Sequence, residues 1–122
     1  MSHVVQINTE VRDINAVKQA CVRLQLERPV VGRFQLYNSE ETGCGVKLRD
    51  WKYPVVCKLE TGELRYDNYG GRWGNNQRLD EFLQGYAVEK SKLEARRQGF
   101  TASEQALEDG SIKVTINAGG AA

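Results

Sequence analysis

Val55-Val56-Cys57-Lys58-Leu59-Glu60-Thr61-Gly62-Glu63-Leu64-Arg65-Tyr66 is the stretch on which the fold turns. Two short apolar runs flank Glu60-Thr61-Gly62, and the glycine supplies the positive φ that a tight loop between antiparallel strands requires. The stretch therefore predicts a β-hairpin. Pro54 immediately before it cannot donate to a ladder, so it belongs at a strand start or a sheet edge.

Working towards the C-terminus, Tyr66-Asp67-Asn68-Tyr69-Gly70-Gly71-Arg72-Trp73-Gly74 packs aromatics, glycines, an arginine and a carboxylate into one loop. From Asn76 to Gln98, Leu79, Phe82, Leu83, Tyr86, Ala87 and Leu93 recur at three and four residues, the period of an amphipathic helix. Asn75 or Asn76 can cap its start. Asp80 and Glu81 suit the positive end of the helix, Arg96 and Arg97 the negative end, and Gly99 is placed to terminate it. Beyond it, Thr101 to Leu107 and the alternating Ile112, Val114 and Ile116 flank Asp109-Gly110, a second hairpin signal.

Towards the N-terminus, Val5, Ile7, Thr9 and Val11 alternate with polar residues and predict a strand. Asp13 is the expected cap of a helix whose apolar stripe is Val17, Ala20, Cys21 and Leu24. Pro29 ends the following linker, and Val31, Phe34 or Leu36 begin a second strand. Gly43 and Gly45 read as a turn, with Val46, Leu48 and Trp51 as a third strand after it. Two amphipathic helices and mostly hairpin-linked strands make an α+β fold, a mostly antiparallel sheet with two helices packed on one face, that is, a two-layer sandwich. Residues 1–117 read as a single α+β domain and residues 118–122 as a flexible C-terminal tail.

A length of 122 residues suits one core. Hydrophobic residues at 40% and charged residues at 27% argue against disorder, and a formal net charge of +1 supplies no bulk field for nucleic acid or an anionic membrane. No apolar run reaches the roughly 20 residues of a membrane span, and Met1-Ser2-His3 opens into a strand rather than a signal peptide. The expectation is a protein of no membrane. Cys21, Cys44 and Cys57 lie too far apart for zinc-site spacing, so no metal and no cofactor is expected. Cys21 and Cys57 fall on apolar faces, whereas Cys44, between two glycines, is expected to be exposed.

Met1-Ser2-His3, Thr9, Val11-Arg12-Asp13 and Ala20-Cys21, together with Phe82-Leu83, Tyr86-Ala87, Gly99-Phe100 and Asp109-Gly110-Ser111-Ile112, carry a resemblance that spans almost the whole chain. The chain resembles the conserved hypothetical chloroplast reading frame thirty-five family of plastids, cyanobacteria and other bacteria. The resemblance implies a bacterial cytoplasm or a plastid stroma, and it brings no activity with it. The central hairpin loop and the Tyr66-to-Gly74 stretch depart from the plastid-type pattern.

Tyr66, Asp67, Tyr69, Arg72 and Trp73 form the candidate binding surface, because Tyr, Trp and Arg dominate binding energy at protein interfaces. Asp67 is expected to pair with Arg72 inside the loop. The leading expectation is a small accessory or adaptor protein acting on a protein partner, with no catalytic residue. The alternative is a single-stranded RNA or DNA binder that stacks bases on the same aromatics. Third is a small enzyme using Asp67 or the sole histidine, His3. Lys92 and Arg96, with Lys90 and Arg97, give the long helix a basic end that serves as a secondary candidate. A homodimer through an exposed sheet edge completes the expectations.

Overall fold

A computed structural model describes residues 3–118, so the expectations for Met1, Ser2 and 119–122 lie outside the described residues. The Asp13 carboxylate accepts from the backbone N–H groups of Asn15 and Ala16 at 2.9 and 3.4 Å. Those donors have no partner within the helix, so the carboxylate fixes where α1 (Ile14–Arg23) starts. The helix buries Ala16, Val17, Ala20 and Cys21. The side chain of Asn75 caps α2 (Asn76–Arg97) in the same way, accepting from Gln77 N–H at 2.8 Å. At the other end Gly99 takes φ +78 while Phe100 N–H closes on the Ala95 carbonyl at 2.8 Å, a glycine-terminated helix end.

The strands β1 (Val5–Asn8), β2 (Val30–Gln35), β3 (Glu40–Val46), β4 (Val55–Lys58) and β5 (Glu63–Tyr66) form one sheet in the order β1-β5-β4-β3-β2. Every pairing in it is antiparallel. Cys44, Val46, Val55, Cys57, Leu64 and Tyr66 cluster with Val17, Cys21, Leu79, Phe82 and Tyr86 of the two helices, so one face of the sheet carries the helical layer. This is the expected α+β two-layer arrangement. The remaining strands, β6 (Thr101–Ala106) and β7 (Ile112–Asn117), pair with each other in a separate two-stranded sheet. A lone hairpin is marginal in water. Here it is tied back to the helices by Gln84 Nε2 donating to the Gly110 carbonyl at 3.0 Å, by Lys92 on Glu104 at 3.0 Å, and by Arg23 on Glu104.

Three sequence expectations are corrected. The first strand stops at Asn8, because Thr9 leaves the ladder to bond the Gly62 carbonyl through both its N–H (2.8 Å) and its hydroxyl (2.6 Å). Gly43 and Gly45 lie inside β3 rather than in a turn, and the turn is made earlier, where Leu36 N–H donates to the Ser39 carbonyl at 2.8 Å. A Cβ on Gly45 would stand 2.4 Å from the Phe34 ring, and one on Gly43 would stand 2.7 Å from the Cys57 carbonyl oxygen, so close approach is what selects glycine at both. Leu48 and Trp51 accordingly sit in the β3–β4 connection. Third, strand alternation between those glycines turns Cys44 inward, and it is 1% exposed.

The same alternation places Phe34, Gly45 and Val56 on the face away from the helices. In a flat meander the β2–β3 turn and the exit of β5 would lie at opposite ends of the sheet, roughly 20 Å apart along the seven residues of β3. Instead the rings of Tyr37 and Trp73 are 5.2 Å apart. The β2–β3 hairpin therefore curls across the outer face, which buries Leu36 and Val56 there.

All three cysteines are free and buried. Burial pushes the Cys21 thiol up to about 11, with the neighbouring Cys44 adding to the rise. Burial raises Cys44 as well, against a partial offset from Lys18, and raises Cys57 further. Because the thiolate is the reactive form, the native protein is expected to leave a thiol-reactive disulfide reagent unconsumed at pH 8 and to release all three thiols only in denaturant. Prompt titration of one thiol in the folded protein would contradict the inward placement of Cys44.

Candidate functional site

Between β5 and α2 the chain builds its loop around two inward side chains. Asp67 is 1% exposed and Asn68 3%. One Asp67 oxygen accepts from Tyr69 N–H at 3.2 Å, while the other, Oδ2, is buried without a hydrogen-bond partner among the described residues. Asn68 donates to the Gly74 carbonyl at 2.9 Å and to Asn76 Oδ1 at 2.7 Å, and its own carbonyl accepts from Gly71 and Trp73 N–H at 3.0 and 2.9 Å. Tyr69, Gly70 and Gly71 run consecutively through left-handed backbone, at φ +48, +60 and +100. Two glycines make such a run affordable, and it reverses the chain around the Asn68 hub.

Trp51 supports the loop from below. Its indole N–H donates to the Asn75 carbonyl at 3.0 Å, and its ring meets Tyr66 edge-on at 5.5 Å. A Cβ at Gly74 would come within 2.4 Å of that indole. Tyr66, 8% exposed, belongs to this underside and to the core. Tyr66 and Asp67 therefore leave the expected binding surface and act as its foundation. The expected Asp67–Arg72 pair is also corrected. The left-handed run turns Arg72 outward, where its guanidinium lies 5.1 Å over the Tyr69 ring.

What the loop displays is Trp73 at the centre of an aromatic cluster. Tyr69 packs on it edge-on at 4.7 Å, Tyr53 from the β3–β4 connection at 5.7 Å, and Tyr37 from the curled β2–β3 turn at 5.2 Å. Lys52 Nζ sits 4.5 Å from the Trp73 ring and 5.6 Å from Tyr53, and the Lys52 N–H donates to the Trp73 carbonyl at 2.8 Å. Three loops thus converge on one end of the sheet. Tyr37 remains 52% exposed although it touches Trp73, so the cluster faces solvent.

The secondary candidates separate. His3 is exposed just ahead of β1, and Arg96 is exposed in the last turn of α2. Lys92 is spent on Glu89 and Glu104, at 3.6 and 3.0 Å. Lys90 and Arg97 both reach the Asp13 carboxylate, at 3.1 and 3.0 Å. Burial alone would raise the Asp13 carboxyl, but hydrogen bonds from Lys90, Arg97, Asn15 and Ala16 outweigh it and hold the group below the usual carboxylate range. Lys90 and Arg97, half of the basic end of α2, therefore clamp the cap of α1. Among the described residues no three His, Cys, Asp or Glu side chains converge to hold a metal, and no helix is long and apolar enough to cross a membrane.

Sequence reasoning reached Tyr69, Arg72 and Trp73 but missed Tyr37, Lys52 and Tyr53. Tyr37 beside Asn38-Ser39 and Tyr53 beside Pro54 are bulky aromatics at turn positions, the one signal that could have singled them out. Fold and site together define an α+β sandwich that carries an aromatic, basic cluster on converging loops. Family models, curated proteins and solved structures were all compared with the chain, and none matches it.

Proposed function

We propose that the protein is a non-catalytic accessory or adaptor protein that recognises a protein partner through Trp73 and the residues gathered around it, Tyr37, Lys52, Tyr53, Tyr69 and Arg72. The observation that carries this reading is the cluster itself: four aromatic rings and two cations brought together from three loops, with Tyr37, Lys52 and Arg72 exposed and Tyr53, Tyr69 and Trp73 half-buried. Grouped Trp, Tyr and Arg are the side chains that supply most of the energy at protein interfaces. The rigid Asp67–Asn68 base supports it further, because a preformed surface loses little entropy on binding. Against the enzyme reading, Asp67 is enclosed, with one oxygen already engaged by Tyr69 N–H. The resemblance to the chloroplast reading frame thirty-five family supports a bacterial-cytoplasmic or plastid-stromal setting.

The test is affinity capture from lysate with and without nuclease. Retention of the same protein partner under both conditions, at moderate salt, is expected. Capture that disappears with nuclease would move the function to single-stranded nucleic acid, the reading in which bases stack on these aromatics.

A further inference from the structure

Lys52 and Arg72 are the cations of the cluster, and neither lies within ion-pair distance of a carboxylate among the described residues, although many other basic side chains of the chain do. Each is held instead on an aromatic face, Lys52 on Trp73 and Arg72 on Tyr69, and those two rings touch at 4.7 Å. A long cationic side chain free in solvent loses rotamer entropy when it pairs; one already laid on a ring has given up part of that freedom beforehand. The two cations are therefore poised to receive anionic groups, and the rings between them offer apolar area.

Resting on the proposed recognition role, we infer that the partner presents an acidic segment, with Asp or Glu carboxylates set on Lys52 and Arg72 and an apolar side chain between them on the Trp73–Tyr37–Tyr53 rings. Charge complementarity argues for this occupant. The geometry also speaks against a stacked nucleic-acid strand: the aromatic rings meet one another tilted or edge-on, and Lys52 and Arg72 already lie over the Trp73 and Tyr69 rings. Bases would have to displace Lys52 to stack on the ring face it covers at Trp73, and Arg72 to stack on the face it covers at Tyr69, whereas carboxylates use the cations where they are.

The experiment is an amide and indole NMR titration of the full chain with an acetylated, amidated Glu-Glu-Leu-Glu-Glu peptide. Its Lys-Lys-Leu-Lys-Lys counterpart and oligo-deoxythymidine serve as parallel probes. The indole resonance of Trp73 is expected to move saturably with the acidic peptide and not with the basic one, while that of Trp51, engaged with the Asn75 carbonyl, stays in place. Affinity is expected to fall roughly tenfold in the Lys52→Gln/Arg72→Gln double variant, whose substitutions are on exposed residues. An unmoved Trp73, equal response to the basic peptide, unchanged affinity in the double variant, or saturation by the oligonucleotide alone would each overturn the inference. If affinity capture still returns a protein partner when the acidic peptide fails, the acidic-partner inference falls and the recognition role stands; loss of capture itself counts against that role.

Discussion

Gly62→Ala is expected to lower the stability of the protein by about 2–5 kcal/mol, combining left-handed strain with steric conflict. The glycine has φ +81, and a Cβ there would stand 2.0 Å from the Thr9 carbonyl oxygen. Neither problem can be relieved cheaply, because the obstacle is backbone. The Gly62 carbonyl is also the acceptor for both the N–H and the hydroxyl of Thr9. Moving Gly62 aside would break the junction that ends β1 and leads into the cap of α1. Urea denaturation of the wild-type and variant chains measures the cost, and a loss below about 1 kcal/mol would mean that the loop between β4 and β5 yields more readily than its bonds to Thr9 imply.

Phe82→Ala is the second large effect, about 3–5 kcal/mol by the usual cost of emptying a core aromatic site. Phe82 is fully buried on the sheet-facing side of α2 and belongs to the cluster that joins both helices to the sheet. Its removal leaves a cavity between layers that a 22-residue helix cannot close by bending. The expected signature is a lower denaturation midpoint with an unchanged denaturant slope, since the folded and unfolded states keep their compactness. A changed slope would point instead to partial unfolding of the β6–β7 hairpin, which is tied to α2 by the Gln84–Gly110 hydrogen bond and the Lys92–Glu104 ion pair.

Much of this architecture was legible because local signals and packing agree. Asp13 caps α1 as its position predicts, Asn75 of the two candidates Asn75 and Asn76 caps α2, and Gly62 sits at positive φ between the paired strands on either side of it. The errors came where one residue type serves two physical ends. Glycine marks turns, but it also permits close approach, and Gly43 and Gly45 are selected by the Cys57 carbonyl and the Phe34 ring. The first proximity comes from the pairing of β3 with β4 and the second from the folding of the β2–β3 hairpin, so no local pattern announces either. The buried state of Cys44 follows from strand alternation, which turns it onto the helix-covered face.

The site divides along similar lines. The loop after β5 was conspicuous in composition, and Tyr69, Arg72 and Trp73 do lie on its surface. Composition does not say which way a side chain points, however: Tyr66 and Asp67, grouped by composition with the binding surface, are the loop's buried support. The Asp67–Arg72 pairing rested on opposite charge at short spacing, and left-handed backbone at Tyr69, Gly70 and Gly71 separates the two. Tyr37, Lys52 and Tyr53 join Trp73 through tertiary structure alone.

The claim that this cluster is the recognition surface is tested most directly by affinity capture with Trp73→Ala beside Val22→Ala, each first shown to be folded. Val22 is 69% exposed and belongs to α1, outside the cluster, so it controls for the loss of exposed apolar area. The account predicts that Trp73→Ala loses the partner while Val22→Ala retains it. Retention of the partner by Trp73→Ala would contradict it.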